Sequence, residues 1–324
     1  MPDLVELILR ELERRQVLFA RKIGVPYIAS IGAHILNLAN YAGHGFIWEH
    51  GERMNLRLHL LMIAPTGFGK SLYRKQFLSG EYAILKDSTI KYANILTITE
   101  AGLVGTYKPG EDGEPVYIPG VAFKYREHII ACDEFHAISA MTKAQHSKTL
   151  DEALLMVLDS GEVHKDLASG PIHYSTQFTL WAGTQPVRLD LSSGMGRRFL
   201  AMVWIPNRRQ RQRLRIIRRK AHRIRPDFQR LEAIRKGIAL KAEQAKDIDD
   251  VEIPERFYQL MDELEVVHYI EALYERFVLG YALMKGWIVN EGEVRVLKVK
   301  MTCLLYTSDA ADELDGVDLG GRRI

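Results

Sequence analysis

The stretch Leu56-Arg57-Leu58-His59-Leu60-Leu61-Met62-Ile63-Ala64-Pro65-Thr66-Gly67-Phe68-Gly69-Lys70-Ser71 decides the fold. It begins as an alternation of apolar and polar residues and becomes continuously apolar, the pattern of a central strand buried on both faces. A glycine-bearing turn follows, then a helical stretch through Leu72 and Phe77. Strand, glycine turn and helix in that order are what a phosphate-binding loop requires. Small residues let successive backbone N–H groups turn inward around a phosphate, and the helix N-terminus adds partial positive charge. The cradle is therefore expected at Ala64, Pro65, Thr66, Gly67, Phe68, Gly69, Lys70, Ser71 and Leu72. Lys70 is placed to reach the β- and γ-phosphates of ATP, and the Ser71 hydroxyl to ligate Mg²⁺. Ala64 stands where the motif carries its first glycine, a mild departure with the Gly67, Gly69, Lys70 and Ser71 core intact.

A magnesium nucleotide needs a second element, and Ile129-Ile130-Ala131-Cys132-Asp133-Glu134 supplies an apolar strand ending in two acids. Asp133 is expected to hold Mg²⁺ through water, and Glu134 to orient and deprotonate the attacking water. Cys132 reads as a small buried strand residue and His136 as a bystander.

Further strands are predicted at residues 95–98, 128–132, 177–182 and 199–205, with helices between them. Such alternation means an α/β sandwich with a mainly parallel sheet. A helix is expected from Pro2-Asp3 and a second over Ile28 to Tyr41, ended by Gly43 and Gly45. The turn-rich stretch from Lys108 to Lys124 suits an inserted hairpin or loop. Residues 208–225 hold ten Arg or Lys side chains and no acid, and residues 228–300 read as mostly helical, with Pro254 opening one helix and Gly286 interrupting another. This divides the chain into an N-terminal helical segment (1–54), a nucleotide core (55–206), a basic linker with a helical region (207–302) and a tail (303–324).

The order of Thr99-Glu100-Ala101-Gly102-Leu103-Val104, the inserted Gly113-Glu114-Pro115-Val116 region, Cys132-Asp133-Glu134-Phe135, Leu150-Asp151-Glu152-Ala153-Leu154, Gly161-Glu162-Val163-His164-Lys165, Gly183-Thr184-Gln185-Pro186 and Gly196-Arg197-Arg198-Phe199 resembles the landmarks of minichromosome-maintenance-type AAA+ P-loop helicases, over about residues 55 to 205. The family's large amino-terminal oligonucleotide-binding domain has no counterpart in the roughly 55 residues before the loop. The resemblance, to a distant plasmid- or virus-type relative, implies an AAA+ three-layer sandwich followed by a helical lid. It further implies ATP hydrolysis with Mg²⁺ in a homo-oligomer, a hexameric ring, that moves single-stranded DNA through a central channel during replication of a mobile element or virus. By the same resemblance Gln185, or Thr184 beside it, contacts the γ-phosphate or the lytic water. Arg198, with Arg197 as the alternative, falls at the position of an arginine finger acting in the neighbouring subunit's site. Lys165 falls at the turn of a channel hairpin that contacts DNA phosphates. Arg211 and Arg215 in the basic run are DNA contacts if that run is more than a surface helix between core and lid. Arg256 and Arg276 are equal candidates for a lid arginine. Two other readings stand beside this one: an AAA+ protein remodeller or transcription activator, and an ATP-dependent DNA-binding initiator that does not unwind.

The chain of 324 residues is 47% hydrophobic and 26% charged with net charge +3, ordinary globular composition that rules out disorder, collagen and a disulfide scaffold. Its apolar runs are far short of the ~20 residues of a membrane span, and the acidic start lacks a signal peptide's basic head, so a cytoplasmic protein without membrane partners is expected. Two cysteines, Cys132 and Cys303, offer no zinc spacing. Residues 303–324 resemble the conceptual translation of a transposase-type sequencing adapter and are set aside. Without them 42 basic residues face 36 acidic ones, a net charge of +6 that suits a polyanionic partner.

Overall fold

The computed structural model describes residues 3–17, 19–44, 48–49, 51–96, 98–133, 135, 148–188, 195–221 and 224–301. Five strands form the central sheet: β1 (His59–Ile63), β2 (Tyr92–Ile95), β3 (Ile129–Cys132), β4 (Thr179–Thr184) and β5 (Phe199–Val203). Their order is β5-β1-β4-β3-β2 and every pairing is parallel. β1, β3 and β4 are buried at every position, as their apolar runs predict. Ile63 pairs with Thr184, Ala182 with Cys132 and Ile95 with Cys132, so the strands end near one edge. The crevice outside such carboxyl ends is where parallel sheets bind ligands.

Helices flank both faces. On one lie α1 (Leu4–Arg14) and α2 (Ala20–Tyr41), together with α6 (Phe228–Ala245) and α7 (His268–Lys285); α4 (Lys148–Asp159) packs on the other with two hairpins. Between them in the chain come α3 (Lys70–Arg74) and the basic helix α5 (Arg208–Ala221). α1 begins where Pro2-Asp3 predicts, with the Asp3 carboxylate accepting from the N–H groups of Val5 and Glu6. Packing crosses the divisions drawn at residues 54 and 207, for α2 and α7 lie against each other along their length. At their closest approach a Cβ on Gly32 would stand 2.0 Å from the Gly280 carbonyl oxygen, and one on Gly280 2.1 Å from that of Ala29.

α2 is seated on the sheet by a polar row at helical spacing. Ser30 donates to the Leu58 carbonyl (2.7 Å) and accepts from the Trp181 indole (2.9 Å). Asn37 accepts from Leu56 N–H (3.0 Å) and donates to Gln177 (3.0 Å), and Asn40 donates to the Met54 carbonyl (3.1 Å). Between them His34 Nδ1 lies 3.0 Å from the Thr179 hydroxyl. Buried polar groups paired in this way fix the rotation of the helix, since turning it would strand every one of them.

Burial pushes the His34 imidazole down to about 3, and holds His59 well below the usual histidine range. His59 uses both nitrogens as a neutral ring, Nδ1 accepting from Leu180 N–H (2.9 Å) and Nε2 donating to the Leu158 carbonyl (3.1 Å). Unfolding lets both rings take up a proton at their ordinary pKa of about 6.5. Both contributions to stability are therefore complete above about pH 6.5 and are lost on acidification, that of His34 as pH falls toward about 3. Denaturant midpoints measured from pH 8 to 4 should fall accordingly, and His34→Asn should flatten that fall; an unchanged slope would remove His34 from the account.

Several sequence expectations shift. The second helix starts at Ala20 instead of Ile28, running through Pro26. A proline in the body of a helix costs a hydrogen bond, offset here by burial of Ile23, Tyr27 and Ile28. β2 covers Tyr92–Ile95 instead of 95–98, and Leu96 just beyond it is 79% exposed. The stretch after Lys108 is a hairpin of Gly105–Pro109 with Pro115–Pro119. The region 228–300 is not wholly helical: Asp250–Glu252, Val294–Lys298 and Ile288–Glu291 form a small three-stranded sheet. Pro254 caps the helix Glu255–Glu263 as predicted, but Gly286 ends α7 in a left-handed conformation (φ 76°) and does not interrupt it. Among the described residues no helix is long and apolar enough to cross a membrane.

Candidate functional site

The chain leaves β1 at Ile63, and Ala64 N–H donates to the Thr184 carbonyl (3.1 Å), which ties the start of the loop to the end of β4. Gly67 (φ 82°) and Gly69 (φ 102°) are both left-handed. A Cβ on either would meet nothing within 4 Å, so backbone conformation and not space demands glycine there, and the bowl they shape is open. Gly69 caps α3, which continues as a π-helical turn over Lys75–Ser79. Thr66, Gly67, Ser71 and Leu72 are exposed, and the Lys70 ammonium donates to the carbonyls of Ala64 and Pro65.

Asp133 follows β3 directly. Its carboxylate takes a two-pronged ion pair from Arg74 of α3 (2.8 and 2.7 Å), and Arg74 donates a third hydrogen bond to Asn94 on β2 (2.8 Å). Gly183, in the strand between β1 and β3, lets the two halves meet. A Cβ there would press on the Asp133 carbonyl (3.2 Å) and the Lys70 Cδ (3.4 Å). Thr184 is buried at the head of the same strand, and its hydroxyl oxygen has no hydrogen-bond partner among the described residues. Gln185 comes next and lines the cleft over the loop. Glu134 and His136 lie outside the described residues.

That cleft has a volume of about 960 Å³, at the upper end of the range for small-molecule sites. Its walls are built from the loop from Thr66 to Leu72, from Arg15 and Val17 beyond α1, and from Arg211, Leu214 and Arg215 of α5. Arg15 is held in that wall by Glu11 (2.7 Å) and by donating to Gln76 (2.9 Å) and the Tyr82 carbonyl (2.8 Å). Arg211 and Arg215, expected from sequence at DNA, thus border the same cleft as Lys70. Leu214 between them is buried, which turns the two arginines on either side of it along the cleft.

Two other expected residues pair within the chain. The first is Arg198. It is 6% exposed and its guanidinium donates to Asp159 at the end of α4 (2.7 Å). The carboxyl end of that helix is negative, through both the helix dipole and Asp159, and it draws in cations. Arg57, fully buried, donates there to the carbonyls of Val157 (2.8 Å) and Asp159 (2.7 Å). Arg197, the alternative, is exposed. Lys165 is not at a turn. It lies within the strand Glu162–Leu167, paired with Gly170–Ser175, whose turn is Ala168-Ser169, and its ammonium is ion-paired with Glu100 (2.6 Å). Arg256 pairs with Glu263 (2.6 Å), and Arg276 donates to the Arg57 carbonyl (3.3 Å), so both serve local structure.

Sequence reasoning missed Arg74, Gly183 as a crossing point, and the cleft wall from α1. Only Arg74 had a local signal, a cation four residues after Lys70 on the same helical face. No protein-family model matches this chain, and no curated protein matches it with significance.

Proposed function

We propose that the chain is an ATP-hydrolysing motor of the AAA+ class, a DNA helicase or translocase acting as a ring-shaped homo-oligomer, with the helical region after residue 207 as its lid. The observation that carries the nucleotide reading is the meeting of Lys70 and Asp133 across Gly183, with Gln185 at the head of the strand between them. The donor set fits Mg²⁺·ATP: one hydroxyl (Ser71), one carboxylate (Asp133) and an open backbone bowl at a helix start.

Bound Mg²⁺·ATP supplies the β–γ phosphoanhydride bond that is broken. The chain's own groups do the rest. Loop N–H groups and Lys70 hold phosphate oxygens, and Ser71 and Asp133 hold the metal. Arg74 has to share or release Asp133 for that, which makes it a competitor for the carboxylate before binding. Glu134 takes the proton of the attacking water and Gln185 orients that water. Arg211 and Arg215 add positive charge along the cleft, a role toward the nucleotide phosphates in place of the DNA contact expected from sequence.

The DNA half of the proposal rests on the order of sequence landmarks and on the net charge of +6 over residues 1–302. Because Lys165 and Arg198 are both paired internally, the protein-remodelling reading stays as a specific rival. ATP turnover measured with and without single-stranded DNA separates them. A motor on DNA should be stimulated several-fold, and the stimulation should collapse between about 50 and 200 mM salt as released counterions cease to favour binding. Turnover indifferent to DNA favours the remodeller; absence of turnover in either condition overturns the ATPase reading itself.

A further inference from the structure

The second hairpin, Glu162–Leu167 with Gly170–Ser175, has two unlike faces. Val163 and Ile172 are buried in the core beneath it, while His164 and His173 stand exposed on the outer side. Its register pairs His164 directly with His173. Two pairs nearer the turn, Pro171 faces Asp166 and has no N–H to give, so that pair is non-hydrogen-bonded; by the alternation of antiparallel ladders the histidine pair is non-hydrogen-bonded as well. Side chains at such positions come closest, and the two imidazole centroids are 3.9 Å apart. Glu162, two residues before His164, shares that face.

We propose that Glu162, His164 and His173 form a binding site for a borderline divalent transition cation, best suited to Zn²⁺. One nitrogen from each ring and one carboxylate oxygen already lie within 4.8 Å of one another. Ligand atoms around tetrahedral zinc are about 3.3 Å apart, given bonds of roughly 2.0–2.1 Å, so modest side-chain rotations close the site. Two imidazoles and a carboxylate are the donor set of an open zinc site, whose fourth position is left to water or another ligand. Mg²⁺ and Ca²⁺, which take oxygen ligands, are poorly served by two ring nitrogens. Among the described residues neither imidazole has a hydrogen-bond partner, so no protein bond has to be given up when the metal binds. The metal would clamp the two strands and place a double positive charge on the outer face of the hairpin. This proposal does not depend on the ATPase reading.

The test uses the full chain without an affinity tag, stripped of metal and free of nucleotide, titrated with Zn²⁺ against a chromophoric chelator. One zinc per chain is expected. His164→Ala and His173→Ala should each weaken binding by at least about tenfold, the lower bound already seen for loss of a mere supporting group. Glu162→Gln should weaken it less and leave the stoichiometry at one. Both histidines are exposed, so unchanged circular dichroism will show that a loss of zinc is not a loss of fold. Failure of the wild-type chain to take up zinc overturns the proposal. So does equal uptake by the His164→Ala/His173→Ala double variant, which would put the metal at another group such as the Cys132 thiol.

Discussion

Lys70→Ala is expected to lower ATP turnover by at least about 100-fold, because removing one preorganised donor from a developing anion costs on the order of 10²–10³ in rate. The structure makes this a clean substitution. The Lys70 stem passes Gly183, and its ammonium donates to the backbone carbonyls of Ala64 and Pro65, so the substitution removes no buried apolar side chain. Alanine is also the best helix former for the first position of α3. Fold and thermal midpoint should therefore stay close to those of the parent while hydrolysis, followed by phosphate release, disappears. Glu134→Gln separates the steps: it should bind a fluorescent ATP analogue as the parent does and fail to turn it over. A Lys70→Ala chain that hydrolyses ATP normally would overturn the phosphate-loop assignment, and a fully active Glu134→Gln chain would overturn the choice of base.

The largest stability effect is expected at the crossing of α2 and α7. Gly280→Ala introduces a methyl 2.1 Å from the Ala29 carbonyl oxygen and 2.5 Å from the Ala33 nitrogen, less than any real contact tolerates. Those neighbours are backbone atoms in the stretch of α2 that is buried throughout, Tyr27 to Asn37, so relief requires the helices to part. Separation would open the core around Ile28, Leu279 and Leu283 and pull Ser30, His34 and Asn37 off their partners in the sheet. Overpacking of this kind costs about 1–3 kcal/mol and more where backbone blocks relaxation. At about 2–4 °C per kcal/mol, a 3 kcal/mol loss lowers the thermal midpoint by roughly 6–12 °C. Gly113→Ala is the control. Unlike the helical Gly280 it is left-handed (φ 80°), and it faces open space, so only a backbone cost of about 1 kcal/mol applies. Equal losses at the two positions would show that helix separation is not what Gly280→Ala costs.

What could be read from sequence was local. The continuous apolar run of β1, the paired glycines, the acid after β3 and the turn signals of the first hairpin each act within about ten residues, and each appears where expected. Where long-range partners decide, the reading slipped. The second helix reads as starting at Ile28 until the burial of Ile23 and Tyr27 is known. Leu96 reads as strand until β2 is seen to pair earlier, Tyr92 with Ile129. Arg198 and Lys165 read as outward-reaching cations, yet Asp159 and Glu100, which hold them, lie 39 and 65 residues earlier. The basic run shows its charge in the sequence but not its direction; that depends on buried Leu214, which sets α5 against the cleft.

The Gly32–Gly280 crossing also sets a timetable for synthesis. α2 emerges early, with an almost wholly apolar surface and buried polar groups that need partners, but the helix that covers it comes about 250 residues later. At about 5–20 residues per second the ribosome needs roughly 12–50 s to deliver it. Throughout that interval the first forty residues are a sticky nascent segment, and the sheet strands that α2 seats upon arrive only partway through. α2 is made long before the helix that completes its packing, which marks it as the segment a chaperone would hold.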